Sequence, residues 1–231
     1  ELLEATVRKY PDRVGFIGGN WRLTYSEFDL IVNRIASGLE AHGIKRGDHV
    51  AALLGIQVEM ALSFFAVMKL GAVLVPLNTR FKGEELAYEL NDSESKLLIV
   101  DEQYWPYIDS VRGNLTTVEK VFFSGADTPA GTLSFAQLRD HQDPAFTRAD
   151  AAESDDVAIL YTSGTTGKPK GAVLHQRGFV LTAMLMSDFV QYEPQDKMIC
   201  CVPLFHVTGL AMVMLSPIFS GVGAVYLKEF K

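Results

Sequence analysis

Apolar residues follow two alternating patterns along the chain. Continuous apolar runs of strand length predict buried β-strands at 49–54, 72–77, 97–100, 118–123, 157–160, 172–174, 198–202 and 222–227. Longer apolar segments, several with helical spacing, predict helices at 28–39, 59–70, 83–90, 178–190 and 207–219. Alternation of helices with continuously apolar strands predicts an α/β fold of layered, mostly parallel sheets covered by helices on both faces.

Two capping boxes mark where helices should begin. Thr24 precedes Glu27 by three residues just before the first helical pattern, and Ser134 precedes Gln137 in the same way. The second box predicts a short helix running toward His141. The chain of 231 residues is long enough for one large domain or two small ones, with an approximate subdivision into 1–150 and 151–231.

The segment between the strands at 157–160 and 172–174 has the composition of an anion-binding loop. Tyr161-Thr-Ser-Gly-Thr-Thr-Gly-Lys-Pro-Lys-Gly171 combines three glycines, four hydroxyl side chains besides tyrosine, and two lysines. Glycines allow close backbone approach, and free N–H groups, hydroxyls and ammonium groups bind phosphate oxygens. Pro169 stands where a Walker loop has its second glycine, and it argues against a helix starting there. A loop between two strands that binds polyphosphate is predicted; a surface linker is the alternative.

A second candidate segment, Pro203-Leu-Phe-His-Val-Thr-Gly209, follows the strand at 198–202 directly. Ligands of open α/β sheets bind at the carboxyl ends of strands. His206 could there contact a carboxylate while Phe205 supplies an apolar wall. A structural histidine in a turn is the competing interpretation.

Composition limits the possible partners. The formal net charge of −7 argues against nucleic acid, whose binding surfaces carry clustered Lys and Arg. The chain shows no signal peptide and no apolar stretch long enough for a transmembrane segment. Cys200 and Cys201 are adjacent, which suits neither a disulfide nor a metal site, so a cytoplasmic location is expected.

Taken together, the two segments resemble the adenylate-forming superfamily of acyl- and aryl-CoA synthetases, peptide-synthetase adenylation domains and firefly-type luciferases. The resemblance implies a reaction of ATP with a small-molecule carboxylate to give an acyl-adenylate and pyrophosphate, followed by acyl transfer to coenzyme A. It also implies roles for single residues. Thr162 would help to hold Mg²⁺, and His206 and Lys168 would be catalytic. The phosphate contacts would come from Thr162, Ser163, Gly164, Thr165, Thr166, Gly167, Lys168 and Lys170, and the acyl pocket from Phe205, His206, Val207 and Gly209.

By the same resemblance, residues 1–231 correspond to the N-terminal part of the large adenylate-forming domain, without the C-terminal domain that carries a catalytic lysine. We therefore expect this chain alone to be inactive, and to form a homodimer or to aggregate, with an open sheet edge at 222–227 as the contact. A fatty acid is the expected substrate, because an apolar run follows His206. The alternatives are an aryl or o-succinylbenzoyl ligase, an amino-acid adenylation domain, a phosphotransferase, or a non-catalytic nucleotide- or acyl-binding module.

Overall fold

The computed structural model describes residues 2–142, 146, 148–162 and 167–228. The α-helices are α1 (Leu2–Lys9), α2 (Tyr25–Ala41), α3 (Val58–Lys69), α4 (Glu84–Asp92), α5 (Trp105–Asp109), α6 (Ala136–Arg139), α7 (Gln176–Val190) and α8 (Leu215–Ser220). The strands are β1 (Val14–Gly18), β2 (Trp21–Thr24), β3 (His49–Leu53), β4 (Val73–Pro76), β5 (Leu97–Asp101), β6 (Lys120–Ser124), β7 (Leu133–Ser134), β8 (Asp156–Thr162), β9 (Lys170–His175), β10 (Lys197–Cys200) and β11 (Gly223–Tyr226). Two 3₁₀ turns, at Glu102–Tyr104 and Arg112–Asn114, and a π-helix at Thr208–Met214 complete these elements.

The strands form two sheets. One has seven strands in the order β7-β6-β5-β3-β4-β8-β9, and the other has four in the order β10-β11-β1-β2. Every pairing is parallel except β8 with β9 and β1 with β2. The predicted class of mostly parallel sheets is therefore confirmed.

Helices cover both faces of the seven-stranded sheet, because its strands are apolar on both sides. One face carries α4 and α5, whose Leu86, Leu90 and Ile108 pack on the strands. The other face carries α2 and α3, and α3 is buried on nearly every side. Phe64 of α3 lies 5.8 Å from the ring of Phe179, so α3 also joins this layer to α7. Burial on both faces explains the continuous apolar runs in the strand sequences.

Helices follow both predicted capping boxes, but only the first box forms in full. The Thr24 hydroxyl accepts a hydrogen bond from the Glu27 N–H, and the Glu27 carboxylate accepts one from the Thr24 N–H, so the first capping box is confirmed. The second box is confirmed in part: a short helix, α6, begins there, and the Ser134 hydroxyl accepts a hydrogen bond of 3.3 Å from the Ala136 N–H. The N-cap itself is Phe135, because Ser134 also belongs to β7, where it pairs with Phe123.

The apolar segment 207–219 is not a continuous α-helix. It forms the π-helix and then α8, in which Pro217 occupies the third position. Proline lacks an N–H group and is tolerated only in the first helical turn. Because the hydrogen bonding changes from the π-helical to the α-helical pattern at the start of α8, Pro217 lies in the first turn of that helix.

The position of β11 within its sheet corrects the expectation of an open sheet edge. β11 is hydrogen-bonded to β10 on one side and to β1 on the other, so the predicted open edge at 222–227 is wrong.

The sequence patterns did not indicate α1, β1 or β2. Each sheet also takes strands from both sides of residue 150, so that boundary does not separate the two sheets.

Candidate functional site

The hydroxyl- and glycine-rich segment connects two strands, as predicted, and these strands are antiparallel. In the β8–β9 hairpin, Thr162 is paired with Lys170 and Tyr161 with Gly171. The strands thus bring Thr162 and Lys170 side by side at the base of the loop. Four of the predicted phosphate contacts, Ser163, Gly164, Thr165 and Thr166, lie outside the described residues.

The described part of the loop presents its polar groups to solvent. Thr162, Gly167, Lys168 and Lys170 are all exposed. Gly167 has a φ of +97°, a conformation that favours glycine. Two ammonium groups and a hydroxyl at the tip of one hairpin can bind an anion of several charges, because the charges attract it and the hydroxyl donates a hydrogen bond.

Helix α4 lies beside the loop and holds both of its arms. The Tyr161 hydroxyl donates a 2.7 Å hydrogen bond to Oδ2 of Asp92, and the Tyr88 hydroxyl donates a 3.2 Å hydrogen bond to the carbonyl oxygen of Pro169. The Lys168 ammonium lies 5.0 Å from the centre of the Tyr88 ring. Burial and the Asp92 carboxylate together raise the pKa of Tyr161, so its hydroxyl keeps the proton that it donates.

These α4 contacts were not among the sequence-based predictions. Tyr88 and Asp92 are four residues apart on a predicted helix, a spacing that places them on one helical face. That signal shows only that the two residues share a face, because a helical pattern does not reveal which strand pair packs against it.

The same helix carries a buried carboxyl group, that of Glu89. Its Oε2 accepts a hydrogen bond of 3.5 Å from the Asn78 N–H, while its Oε1 has no hydrogen-bond partner among the described residues. Burial is the main cause that raises the pKa of Glu89 to about 7; the hydrogen bond from Asn78 opposes it and the charge of Glu85 adds to it. Glu89 therefore changes charge near neutral pH.

The second candidate segment forms a compact turn between β10 and the π-helix. Phe205 is buried and His206 is exposed, with their ring centres 4.4 Å apart. A side chain at Gly209 would overlap the carbonyl oxygen of Pro203, so only glycine permits this close approach of two backbone segments. Val207, beside the histidine, is 46% exposed. The turn thus presents an imidazole and an apolar side chain at one surface.

The two candidate segments lie on different sheets. The loop extends from the seven-stranded sheet, whereas Pro203–Gly209 follows β10 of the four-stranded sheet. Helix α7 runs between them and contacts both β9 and the π-helix. Within the described ranges, no hydrogen bond, ion pair or ring contact joins the two segments directly. His175, at the N-cap of α7, lies 2.8 Å from Oδ1 of Asp156, which suits a structural role.

The described residues include no group of three or more His, Cys, Asp or Glu side chains that could hold a metal ion. The exposed hydroxyl of Thr162 fits one position of a Mg²⁺ ion that takes its other ligands from phosphate oxygens and water. Among the described residues of the loop, Thr162 could supply this ligand. In the part of the chain covered by the structure, no helix combines the length and apolar character needed to cross a membrane.

Comparison with known proteins gives one family. The family described as AMP-binding enzyme matches residues 3–231. Long-chain-fatty-acid–CoA ligase FadD13 of Mycobacterium tuberculosis is 35% identical over 210 residues, which are 90% of this chain and 40% of that protein. 4-Coumarate–CoA ligase 3 of Arabidopsis thaliana is 32% identical over 224 residues, 94% of this chain and 39% of that protein. The crystal structure of the anthranilate CoA ligase AuaEII in complex with anthranoyl-AMP matches with a TM-score of 0.94 at 28% identity, covering 99% of this chain and 44% of that one. This chain spans about 40% of the length of these two curated relatives.

Proposed function

Since this chain belongs to the AMP-binding enzyme family, we propose that it is the N-terminal portion of an ATP-dependent acid–CoA ligase. The complete enzyme would join a carboxylic acid to AMP, release pyrophosphate, and transfer the acyl group to coenzyme A. The C-terminal, lysine-bearing domain lies outside residues 1–231 under this proposal, and this chain alone is then inactive.

The observation that carries the proposal is the β8–β9 hairpin, which places Thr162 and Lys170 side by side and leaves both of them and Lys168 exposed. Attack of a carboxylate oxygen on the α-phosphorus breaks the bond to the β-phosphate and increases negative charge on the departing pyrophosphate. Lys168 and Lys170 are suited to neutralise that charge, because lysine is a mobile point charge that can follow a leaving group. Mg²⁺ would add charge neutralisation at the phosphates when bound.

The turn at Pro203–Gly209 supports a role for His206 beside the substrate carboxylate. Its imidazole is exposed at the surface of the turn, with Phe205 packed against it and Val207 next to it. An imidazole can hydrogen-bond a carboxylate and so orient the oxygen that attacks phosphorus. The acyl chain would then lie along Phe205, Val207 and the backbone of Gly209.

A fatty acid is the substrate that we propose first, because the turn is followed by an apolar helical segment and FadD13 is named as a long-chain-fatty-acid ligase. An aryl acid is the second candidate, since 4-coumarate and anthranilate name the substrates of two other similar proteins. A cytoplasmic location is proposed with either substrate.

The polyphosphate site can be tested on this chain. We expect Mg²⁺-pyrophosphate and Mg²⁺-ATP to bind with calorimetrically measurable affinity, and Lys170→Met to weaken binding about tenfold through the loss of a charged contact. Lys197→Met is the matched control, because Lys197 is an exposed lysine at the start of β10. Equal effects of the two substitutions would contradict the proposed site.

The substrate class can be tested by ATP–pyrophosphate exchange in a protein that extends this chain to the length of its relatives. Exchange that depends on palmitate supports the fatty-acid proposal, and exchange that depends on 4-coumarate supports the aryl-acid proposal. Absence of exchange with both acids, in an extended protein that binds ATP, would favour a non-catalytic binding module.

A further inference from the structure

Tyr88 contacts the phosphate loop through both parts of its side chain. Its ring faces the Lys168 ammonium at 5.0 Å, and its hydroxyl donates a hydrogen bond of 3.2 Å to the carbonyl oxygen of Pro169. These two loop residues are consecutive, so one tyrosine holds a charged side chain and the backbone beside it. Nothing in the reaction requires Tyr88 to touch ATP.

The helix that carries Tyr88 is held by a hydrogen bond and by buried side chains. Tyr88 lies on α4, and Asp92, one turn further along, accepts a hydrogen bond of 2.7 Å from Tyr161 at the base of the hairpin. Leu86 and Leu90 of the same helix are completely buried in the core below. These side chains anchor the helix in the core, and Tyr88 contacts the loop from that anchored helix.

We propose that Tyr88 is a positioning residue that holds Lys168 in a resting position on its ring, from which polyphosphate withdraws the lysine. The proposal rests on the proposed function of the loop and adds a residue to it. The hydroxyl acts separately, because it holds the Pro169 carbonyl, and with it the second arm of the loop, in place while Lys168 moves.

The physical basis is a competition for one ammonium group. A lysine over a tyrosine ring at an exposed site gains an attraction that changes an equilibrium about two- to fivefold. Several phosphate charges attract the same ammonium more strongly than a ring does. The anion therefore wins, but it binds less tightly than it would if Lys168 were unengaged. The Tyr88 ring lowers the affinity for polyphosphate, whereas the Tyr88 hydroxyl raises it, so the two parts of the side chain act in opposite directions.

The test compares Tyr88→Phe, which keeps the ring, with Tyr88→Leu, which removes it; both lack the hydroxyl. Binding of Mg²⁺-pyrophosphate to the chain is measured by calorimetry. We expect the Leu variant to bind about two- to fivefold more tightly than the Phe variant. In a Lys168→Met background the two variants should bind equally, because the ring then has no ammonium to hold. A ring that only packs against the hairpin would make the Leu variant weaker than Phe in both backgrounds.

A second measurement detects the resting position itself. In NMR spectra with labelled lysine, the Lys168 ε-methylene should be shifted upfield by the ring, in the wild type and in Tyr88→Phe but not in Tyr88→Leu. Saturation with Mg²⁺-pyrophosphate should remove that shift. An ε-methylene that is unshifted in the wild type, or still shifted in the saturated complex, would overturn the resting position while leaving the polyphosphate site intact. If the wild type does not bind pyrophosphate at all, the proposed function is refuted. The proposed release of Lys168 from the Tyr88 ring is then refuted as well.

Discussion

Replacement of Glu89 by Gln should stabilise the chain at alkaline pH and not at acidic pH. Glu89 is completely buried on α4, and one of its carboxyl oxygens is without a hydrogen-bond partner in the described part of the chain. An ionised carboxylate in such a place lacks the water that would solvate its charge. Glutamine has nearly the same shape and can still accept the hydrogen bond from Asn78, but it carries no charge.

The magnitude follows from the pKa of Glu89, which burial raises from an ordinary value of 4.5 to about 7. Each pKa unit corresponds to about 1.4 kcal/mol, so ionisation of Glu89 costs the folded state about 3 kcal/mol. The folded chain holds this proton more tightly than the unfolded chain. The contribution of Glu89 to the free energy of unfolding is therefore full below pH 4.5, falls as the pH rises to about 7, and stays constant above that.

Urea unfolding followed by circular dichroism, at pH values from 4.5 to 8.5, measures this difference directly. We expect Glu89→Gln to be more stable than the wild type by up to about 3 kcal/mol at pH 8, with the gain shrinking toward zero at acidic pH. Glu40→Gln, at an exposed position on α2, is the control and should leave the pH profile unchanged. A stability difference between Glu89→Gln and the wild type that is the same at every pH would refute the assignment of a buried, neutral carboxyl group.

Three further outcomes follow from single contacts. Tyr161→Phe removes the hydrogen bond to Asp92 and should lower the free energy of unfolding by about 1–2 kcal/mol, measured by urea unfolding. Gly209→Ala places a methyl group against the Pro203 carbonyl oxygen and should cost about 2 kcal/mol or more in the same assay; an unchanged stability would show that the turn is loose. His206→Ala, at an exposed position, should leave the melting temperature unchanged but slow ATP–pyrophosphate exchange in the extended protein about 10²-fold. Normal exchange with a large drop in melting temperature would identify His206 as a structural residue.

Several features of this protein are determined by local sequence alone. The Thr24–Glu27 capping box begins α2 because its hydrogen bonds join residues three apart. The limits of α3 follow from an apolar segment that ends before Gly71, and the position of the proposed phosphate loop follows from a polar run between two apolar ones. The alternation of strands and helices was sufficient to predict mostly parallel, doubly covered sheets.

Other features depend on residues that are distant in the sequence. The Ser134 hydroxyl contacts the start of α6 as local sequence predicts, yet pairing of β7 with β6 places the Ser134 backbone in a sheet and makes Phe135 the N-cap. The run at 222–227 has the pattern of any apolar strand. It becomes an internal strand of its sheet only because β1 and β10 pair with it on either side.

The candidate site also combines features that local sequence determines with features that tertiary contacts determine. Each of its two candidate segments is continuous in sequence, so the loop with Lys168 and Lys170, and the turn with His206, could be identified from order and composition. The residues that support the loop lie on α4, about 80 positions earlier, and a helical pattern gives no sign of the strands on which it will pack. Tyr88 acquires its place beside Lys168, and Glu89 its raised pKa, only when α4 is packed against the sheet, because both depend on the surroundings that tertiary contacts create.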